Sequence, residues 1–130
     1  MIDHIGIAVE RLDRALAAYE PAVGRRASPA ELVESQKARV AFLEVDGSHL
    51  EFLEPTDPES PIGRFLSKRG EGLHHIAFRV PSVDRALADV RARGGRLVDE
   101  HARPGARGRR IGFAHPSAFL GTLVEFVEAP

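Results

Sequence analysis

Hydrophobic and polar residues alternate at the start of the chain and again just beyond its middle. The segment IDHIGIAV at 2–9 has apolar side chains at alternate positions, which is the period of a half-buried strand, and 74–80 repeats this pattern. Apolar residues then recur with a helical period at Leu12, Ala15, Leu16 and Tyr19. We predict that this first helix stops early at Pro21. A second helix is predicted over 82–93, with Gly94-Gly95 as its C-terminal stop.

Further strands are predicted after each helix. In the first half they cover about 39–46 and 48–54, and the Asp46-Gly47 pair predicts the hairpin turn between them. A less regular strand near 26–34 is interrupted by Pro29. In the second half, strands are predicted near 96–99, 109–115 and 121–128.

The two halves have the same sequence pattern at a constant spacing. DHIGIAVERLDRALA at 3–17 resembles HHIAFRVPSVDRALA at 74–88, each residue lying 71 positions after its counterpart. Their ends also match, since HLEFLEP at 49–55 resembles LVEFVEAP at 123–130, with a spacing of 74 after a slightly longer last loop. Two unrelated strand–helix units of biased composition are the alternative, but five identical residues in register favour a duplication.

This duplication predicts the fold class. We expect an α+β fold of two tandem βαβββ modules that form a cupped mixed sheet around a metal site. Module one covers about 1–55, a linker with a short helix covers 56–72, and module two covers about 73–130. We expect a single domain over 1–130.

Composition and charge exclude several classes of function. Apolar residues make up 43% of the chain, and its net charge of −1 gives no basic field for nucleic acid or an anionic membrane. The absence of cysteine excludes a disulfide, a thiolate ligand and a cysteine nucleophile. No run reaches the roughly 20 apolar residues of a membrane span, and the first apolar run is too short for a signal peptide. We therefore expect a cytoplasmic protein without nucleic-acid or membrane partners.

Two histidines and two glutamates occupy equivalent places in the modules. His4 and His75 lie early in the first strand of each module, and Glu51 and Glu125 lie in the last strand. If a pseudo-twofold axis relates the modules, all four side chains converge. Imidazole and carboxylate ligands suit Zn, Co, Mn, Ni or Fe, and two positions of an octahedral ion would stay open for catalysis. We predict that these four residues bind a divalent metal ion.

Each of these residues alone has a simpler interpretation. A single strand histidine is usually a hydrogen-bonded structural residue, and a single strand glutamate is usually solvated. The symmetric set favours ligation. His74 faces the other way from its neighbour and is predicted to be structural or to support a ligand. The remaining histidines have no symmetric counterpart; we expect His115 to line the site rather than His49 or His101.

These motifs resemble the vicinal oxygen chelate superfamily, which includes glyoxalases, bleomycin-resistance proteins and extradiol dioxygenases. Nearly the whole chain resembles it, and its methylmalonyl-CoA epimerase branch is the most similar. The segments that carry this resemblance are IDHIGIAV at 2–9, LEFLEP at 50–55, ESPIGRFLSKRGEGLHHIAF at 59–78, RPGARGRRIGF at 103–113 and LVEFVE at 123–128.

The resemblance implies a function. It implies a homodimeric, metal-dependent epimerase that interconverts (2R)- and (2S)-methylmalonyl-CoA through a metal-stabilised enolate, with the same four metal ligands. It also implies that Glu125 is one of two acid/base groups. The other is a glutamate in some relatives, but this chain has Val40 there. Ser117 replaces a common lysine, and the basic loop from Arg103 to Arg110 is predicted to compensate at the CoA phosphates or, alternatively, to be a solvated loop.

Two other functions remain open. A glyoxalase I-like lactoylglutathione lyase, or another metal-dependent enzyme of the superfamily, would use nearly the same ligands. A metal-free binding protein of this fold would lack them, so the complete set argues against that alternative.

Overall fold

The computed structural model describes all 130 residues, Met1–Pro130. Its eight strands are β1 (Ile2–Ala8), β2 (Glu31–Val33), β3 (Ala38–Val45), β4 (Ser48–Pro55), β5 (Gly72–Val80), β6 (Arg103–Pro104), β7 (Arg110–Ala114) and β8 (Val124–Glu128). Its three α-helices are α1 (Leu12–Val23), α2 (Pro61–Arg69) and α3 (Val83–Ala92). The chain forms two compact units: the first-half unit is His4–His74, and the second-half unit is Met1–Asp3 with His75–Pro130.

The first-half unit is a sheet with a helix on one face. Its strands follow the order β2-β3-β4-β1, with β1 parallel to β4 and the other neighbours antiparallel. Alternate residues of these strands point to one face, where Ile7, Leu43 and Phe52 pack with Leu12 and Leu16 of α1. The opposite face is also buried, because Val40 and Leu53 are at most 1% exposed. This second face carries the candidate site residues of the unit.

The second-half unit repeats this arrangement. Its strands follow the order β5-β8-β7-β6, with β5 parallel to β8. Val83 and Leu87 of α3 pack on one face against Val124 and Phe126. Helix and sheet approach so closely that a Cβ added at Gly112 would lie 2.8 Å from a Leu87 methyl carbon. The predicted α+β class and the two βαβββ modules are therefore confirmed.

A glutamate from the last strand holds the first turn of the helix in each unit. The Glu54 carboxylate accepts a hydrogen bond from the Leu12 amide at 2.9 Å, and Glu128 accepts one from the Val83 amide at 2.9 Å. The first amides of a helix have no partner within the helix, and a negative charge there is favourable. Leu12 and Val83 are 71 positions apart, and Glu54 and Glu128 are 74 positions apart. The duplication therefore extends to the contact between helix and sheet.

The prediction that Pro21 stops the first helix is wrong. The helix continues to Val23 with Pro21 inside its last turn. A proline so close to the end removes only one amide donor. Gly24 then ends the helix in the left-handed conformation at φ 76°, where its amide donates to the Glu20 carbonyl at 2.8 Å.

The predicted strand at 96–99 is also wrong, because only Leu97 forms a bridge, with Ala114. The Val98 and Asp99 amides both donate to the Phe113 carbonyl. In return, the Asp99 carboxylate accepts from the Phe113 amide at 2.9 Å. The side chain thus replaces a backbone partner, and the segment bends instead of continuing as a strand.

The other predicted elements are present with small shifts at their ends. The Asp46-Gly47 hairpin is confirmed, with φ positive at both residues, as in a type I′ turn. The linker contains α2, and Ser60 caps its first turn by accepting from the Gly63 amide. None of the three helices is long and apolar enough to cross a membrane.

Candidate metal centre

His4 and Glu51 form a buried pair in the first-half unit. The strands β1 and β4 run parallel, with His4 opposite His49 and Gly6 opposite Glu51, so both side chains lie on one face. His4 Nε2 lies 3.3 Å from Glu51 Oε1. The two residues are only 4% and 2% exposed. Burying a carboxylate this deeply costs free energy unless a partner compensates its charge.

His75 and Glu125 form the equivalent pair in the second-half unit. The parallel strands β5 and β8 place Ala77 opposite Glu125, which brings His75 beside that carboxylate. His75 Nε2 lies 2.9 Å from Glu125 Oε1. These residues are 3% and 1% exposed. Each unit therefore builds the same His–Glu pair from the same two strands.

A phenylalanine packs edge-on against the histidine in both pairs. The rings of His4 and Phe42 have centroids 5.9 Å apart, and those of His75 and Phe113 are 5.4 Å apart; both pairs are nearly perpendicular. The register places Phe42 opposite Glu51 and Phe113 opposite Glu125. The phenylalanine thus restricts the imidazole ring while its own apolar surface excludes water from the carboxylate.

The donor set fits a divalent transition metal. Each of the four side chains offers one ligand atom, and all four are buried. Two carboxylates balance the charge of a divalent ion, and imidazole nitrogen with carboxylate oxygen suits Zn, Co, Mn or Ni. Ligand atoms about 2.1 Å from an ion lie about 3 Å apart when they occupy adjacent octahedral corners. The observed N···O distances of 3.3 and 2.9 Å agree with that spacing, although a hydrogen-bonded pair would also give them.

The other histidines have different surroundings. His74 packs edge-on against Phe65 of α2, with centroids 4.9 Å apart, as its predicted structural role requires. His115 Nδ1 accepts from the Ser117 amide at 3.1 Å and thereby caps a short turn at Pro116–Phe119. Ser117 Oγ also lies 2.8 Å from His115 Nδ1, so the two side chains hold this turn together. His101 is exposed.

Most of the predicted basic loop is engaged within the second-half unit. The arginines at its two ends pair with acids: Arg103 with Asp99 at 3.0 Å, and Arg110 with Asp84 at 3.0 Å. Arg109 is only 9% exposed at its side chain. Its Nε donates to the Glu128 carbonyl at 2.8 Å. These contacts tie the loop to the rest of the unit, unlike a fully solvated loop.

Val40 is fully buried in β3, opposite Leu53 of β4. It supplies no ionisable group for proton transfer. Sequence reasoning also missed a buried residue beside the predicted ligands. Asp3 is 1% exposed and pairs with Arg79 and Arg109, which lie 76 and 106 positions away in the sequence. No local pattern signals these contacts.

Comparisons with known proteins place the chain in a family. Residues 3–113 match the family described as the Glyoxalase/Bleomycin resistance protein/Dioxygenase superfamily. The chain is 40% identical over 127 residues to the uncharacterized protein YqjC of Bacillus subtilis, covering 98% of this chain and 91% of that one. It is 33% identical over 129 residues to human mitochondrial methylmalonyl-CoA epimerase, covering 98% of this chain and 73% of the human one.

A solved structure matches the whole fold. It is a variant of Streptomyces coelicolor methylmalonyl-CoA epimerase in complex with 2-nitronate-propionyl-CoA. The two chains superpose with a TM-score of 0.93 at 41% identity, covering 99% of this chain and 94% of that one.

Proposed function

Since this chain belongs to the Glyoxalase/Bleomycin resistance protein/Dioxygenase superfamily and is an isomerase of the epimerase class, we propose that it is a metal-dependent methylmalonyl-CoA epimerase. Two relatives reported above carry that name, whereas YqjC has no assigned function. The proposal therefore depends on the site as well as on the names. Its strongest support is the pair of equivalent buried His–Glu contacts.

We propose that both pairs bind one divalent ion. Each unit alone offers only two ligand atoms, fewer than the three or four protein ligands of a typical catalytic ion. A buried carboxylate in each pair is costly unless it is neutralised, and one divalent ion neutralises both. The duplication supports a shared site, because a pseudo-twofold axis would bring equivalent residues together. The ligands are then His4, Glu51, His75 and Glu125.

The reaction requires removal and return of the proton at C2 of the acyl group. A divalent ion at this site would stabilise negative charge on the thioester and carboxylate oxygens while that proton is away. Glu125 is the proton carrier that we assign. It is buried and held by His75, so its position is fixed.

The proposed substrate is an acyl-CoA whose C2 carries a free carboxylate. The ligand of the Streptomyces coelicolor structure is a CoA thioester with a nitronate at carbon 2. A nitronate is a planar anion, as an enolate is, which supports an anionic intermediate in that relative. In this chain, we propose that the basic loop from Arg103 to Arg110 contacts the CoA phosphates, because guanidinium groups attract phosphate oxygens.

A proton-exchange experiment tests the proposed reaction. The protein is loaded with Co²⁺ and incubated with methylmalonyl-CoA in D₂O, and loss of the C2 proton is followed by NMR. We expect exchange that stops when the ion is removed by a chelator and returns when Co²⁺ is restored. A parallel sample receives the hemithioacetal of methylglyoxal and glutathione, the substrate of a glyoxalase I-like lyase. Turnover of the hemithioacetal without C2 exchange would overturn the proposal.

Two further properties belong to this proposal. The absence of cysteine is consistent with a reducing, cytoplasmic environment. We also propose a homodimer, and light scattering that gives the mass of a single chain would contradict it.

A further inference from the structure

Asp3 is the centre of a buried ion cluster in the second-half unit. Both terminal nitrogens of Arg109 donate hydrogen bonds to its carboxylate, at 2.9 and 3.1 Å. Arg79 adds contacts from Nε at 3.1 Å and from Nη2 at 3.0 Å. The side chains of Asp3 and Arg109 are 2% and 9% exposed. Two parallel N–H···O contacts of this kind fix direction as well as distance.

The same two arginines tie the start of the chain to two strands of that unit. Arg109 Nε donates to the Glu128 carbonyl at the end of β8, at 2.8 Å. The Arg79 amide, near the end of β5, donates to the Met1 carbonyl at 3.0 Å. The first three residues are therefore held by side-chain and backbone contacts together.

The Asp3 cluster lies at the point where the chain passes from one unit to the other. The chain passes between the two units at the Asp3–His4 and His74–His75 peptide bonds. At each crossing, the residue that follows is a proposed metal ligand. Asp3 is fixed in the unit that contains His75 and Glu125, and the next residue is His4 of the other pair.

We propose that Asp3 is a positioning residue for the metal site, acting with Arg79 and Arg109. The cluster sets the position at which β1 leaves the second-half unit, and thereby holds His4 within reach of the ion bound by His75 and Glu125. This inference rests on the proposed function, because it assumes one ion shared by both pairs. Two guanidinium groups on one carboxylate also offset the cost of burying its charge.

Metal affinity should respond to this cluster in a way that loss of stability alone does not reproduce. Substitution of residues that orient metal ligands typically lowers affinity about 10- to 100-fold. We expect Asp3→Asn to weaken Co²⁺ binding by about tenfold or more and to change the visible absorption spectrum of the bound ion. Arg109→Lys keeps the charge but loses the bidentate contact. It should therefore lower the Co²⁺ affinity less, with the same spectral change.

Two control variants separate positioning from general destabilisation. Asp84→Asn makes the same chemical change at an exposed carboxylate that pairs with Arg110 in the same unit. Leu87→Ala destabilises that unit through the core under α3. Both should keep the wild-type Co²⁺ affinity and spectrum, and Leu87→Ala should lower the melting temperature at least as much as Asp3→Asn does.

A double variant keeps the test informative if Asp3→Asn folds poorly. Asp3→Asn with Arg109→Gln removes the unpaired buried charge and should recover stability, but its Co²⁺ affinity should remain low. Wild-type affinity and spectrum in the folded double variant would overturn the positioning role. If the wild-type protein itself binds no Co²⁺, the proposed function fails instead, so the two failures are distinguishable.

Discussion

The substitution Glu125→Gln should have opposite effects on the metal-free and the metal-loaded protein. It keeps the size of the side chain and one carbonyl oxygen for His75, but it removes a charge that is 1% exposed. A hydrogen bond to a charged group contributes about 1.5–3 kcal/mol, and a neutral one about 0.5–1.5 kcal/mol. Burying a charge costs several kcal/mol. Because the cost of burial is the larger quantity, the metal-free variant should be at least as stable as the wild type.

With Co²⁺ bound, the wild type should instead be more stable than the Glu125→Gln variant. At a free Co²⁺ concentration about a thousand times the Kd, binding to the folded state alone stabilises it by about 4 kcal/mol. In a domain of this size each kcal/mol raises the melting temperature by about 3–4 °C, so the wild type should gain about 12–16 °C. The variant has lost one ligand and should gain only a few degrees at the same Co²⁺ concentration.

Thermal unfolding of chelator-treated protein, with and without Co²⁺, measures both effects. Glu44→Gln is the matched control, since its carboxylate is 58% exposed on β3 and should leave both temperatures unchanged. If Glu125→Gln gains as much from Co²⁺ as the wild type does, Glu125 is not a ligand and this reasoning is refuted.

Three further predictions concern the scaffold. Glu54→Ala and Glu128→Ala should each lower the free energy of unfolding by about 1–2 kcal/mol in urea, because each leaves a helix amide without its acceptor; no change would show that these contacts are not stabilising. Gly112→Ala should cost about 1–3 kcal/mol in the same assay, because the added carbon would lie 2.8 Å from a methyl carbon of α3. The pKa of Asp84 should be found below 3.8 by NMR titration, because the Ala102 amide and then a neighbouring guanidinium favour its charged form. Its stabilising contribution should be present above the unfolded pKa and lost as pH falls through the folded one, and Asp84→Asn should abolish that dependence.

The sequence predicted equivalent site positions because the duplication repeats strand positions, and the structure adds the contact of each histidine with the glutamate of its own unit. His4 corresponds to His75 at a spacing of 71, and Glu51 corresponds to Glu125 at a spacing of 74. The same spacing also relates Glu54 to Glu128, which a search for equivalent acids would have found. Their role became evident only in the structure, where each accepts a hydrogen bond from the first backbone amide of a helix.

Other features depended on contacts that no local pattern reveals. Asp3 reads as an ordinary polar residue at the start of a strand, and its partners Arg79 and Arg109 are far away in sequence. The end of α1 was misjudged because Pro21 removes one amide donor, yet the backbone keeps its helical conformation to Val23. The bend at 96–99 depends on the Asp99 side chain replacing a strand partner, which alternation of apolar residues does not indicate.

The number of metal ions per chain tests the central claim most directly. Chelator-treated protein is equilibrated with excess Co²⁺, freed of weakly held ions by gel filtration and analysed by mass spectrometry of the metal against protein concentration. Two His–Glu pairs that share one site predict one ion per chain, and His4→Gln or His75→Gln should each reduce it well below one. Two ions per chain would mean that each pair binds its own ion. That result, or retention of no ion by the wild type, would contradict the account.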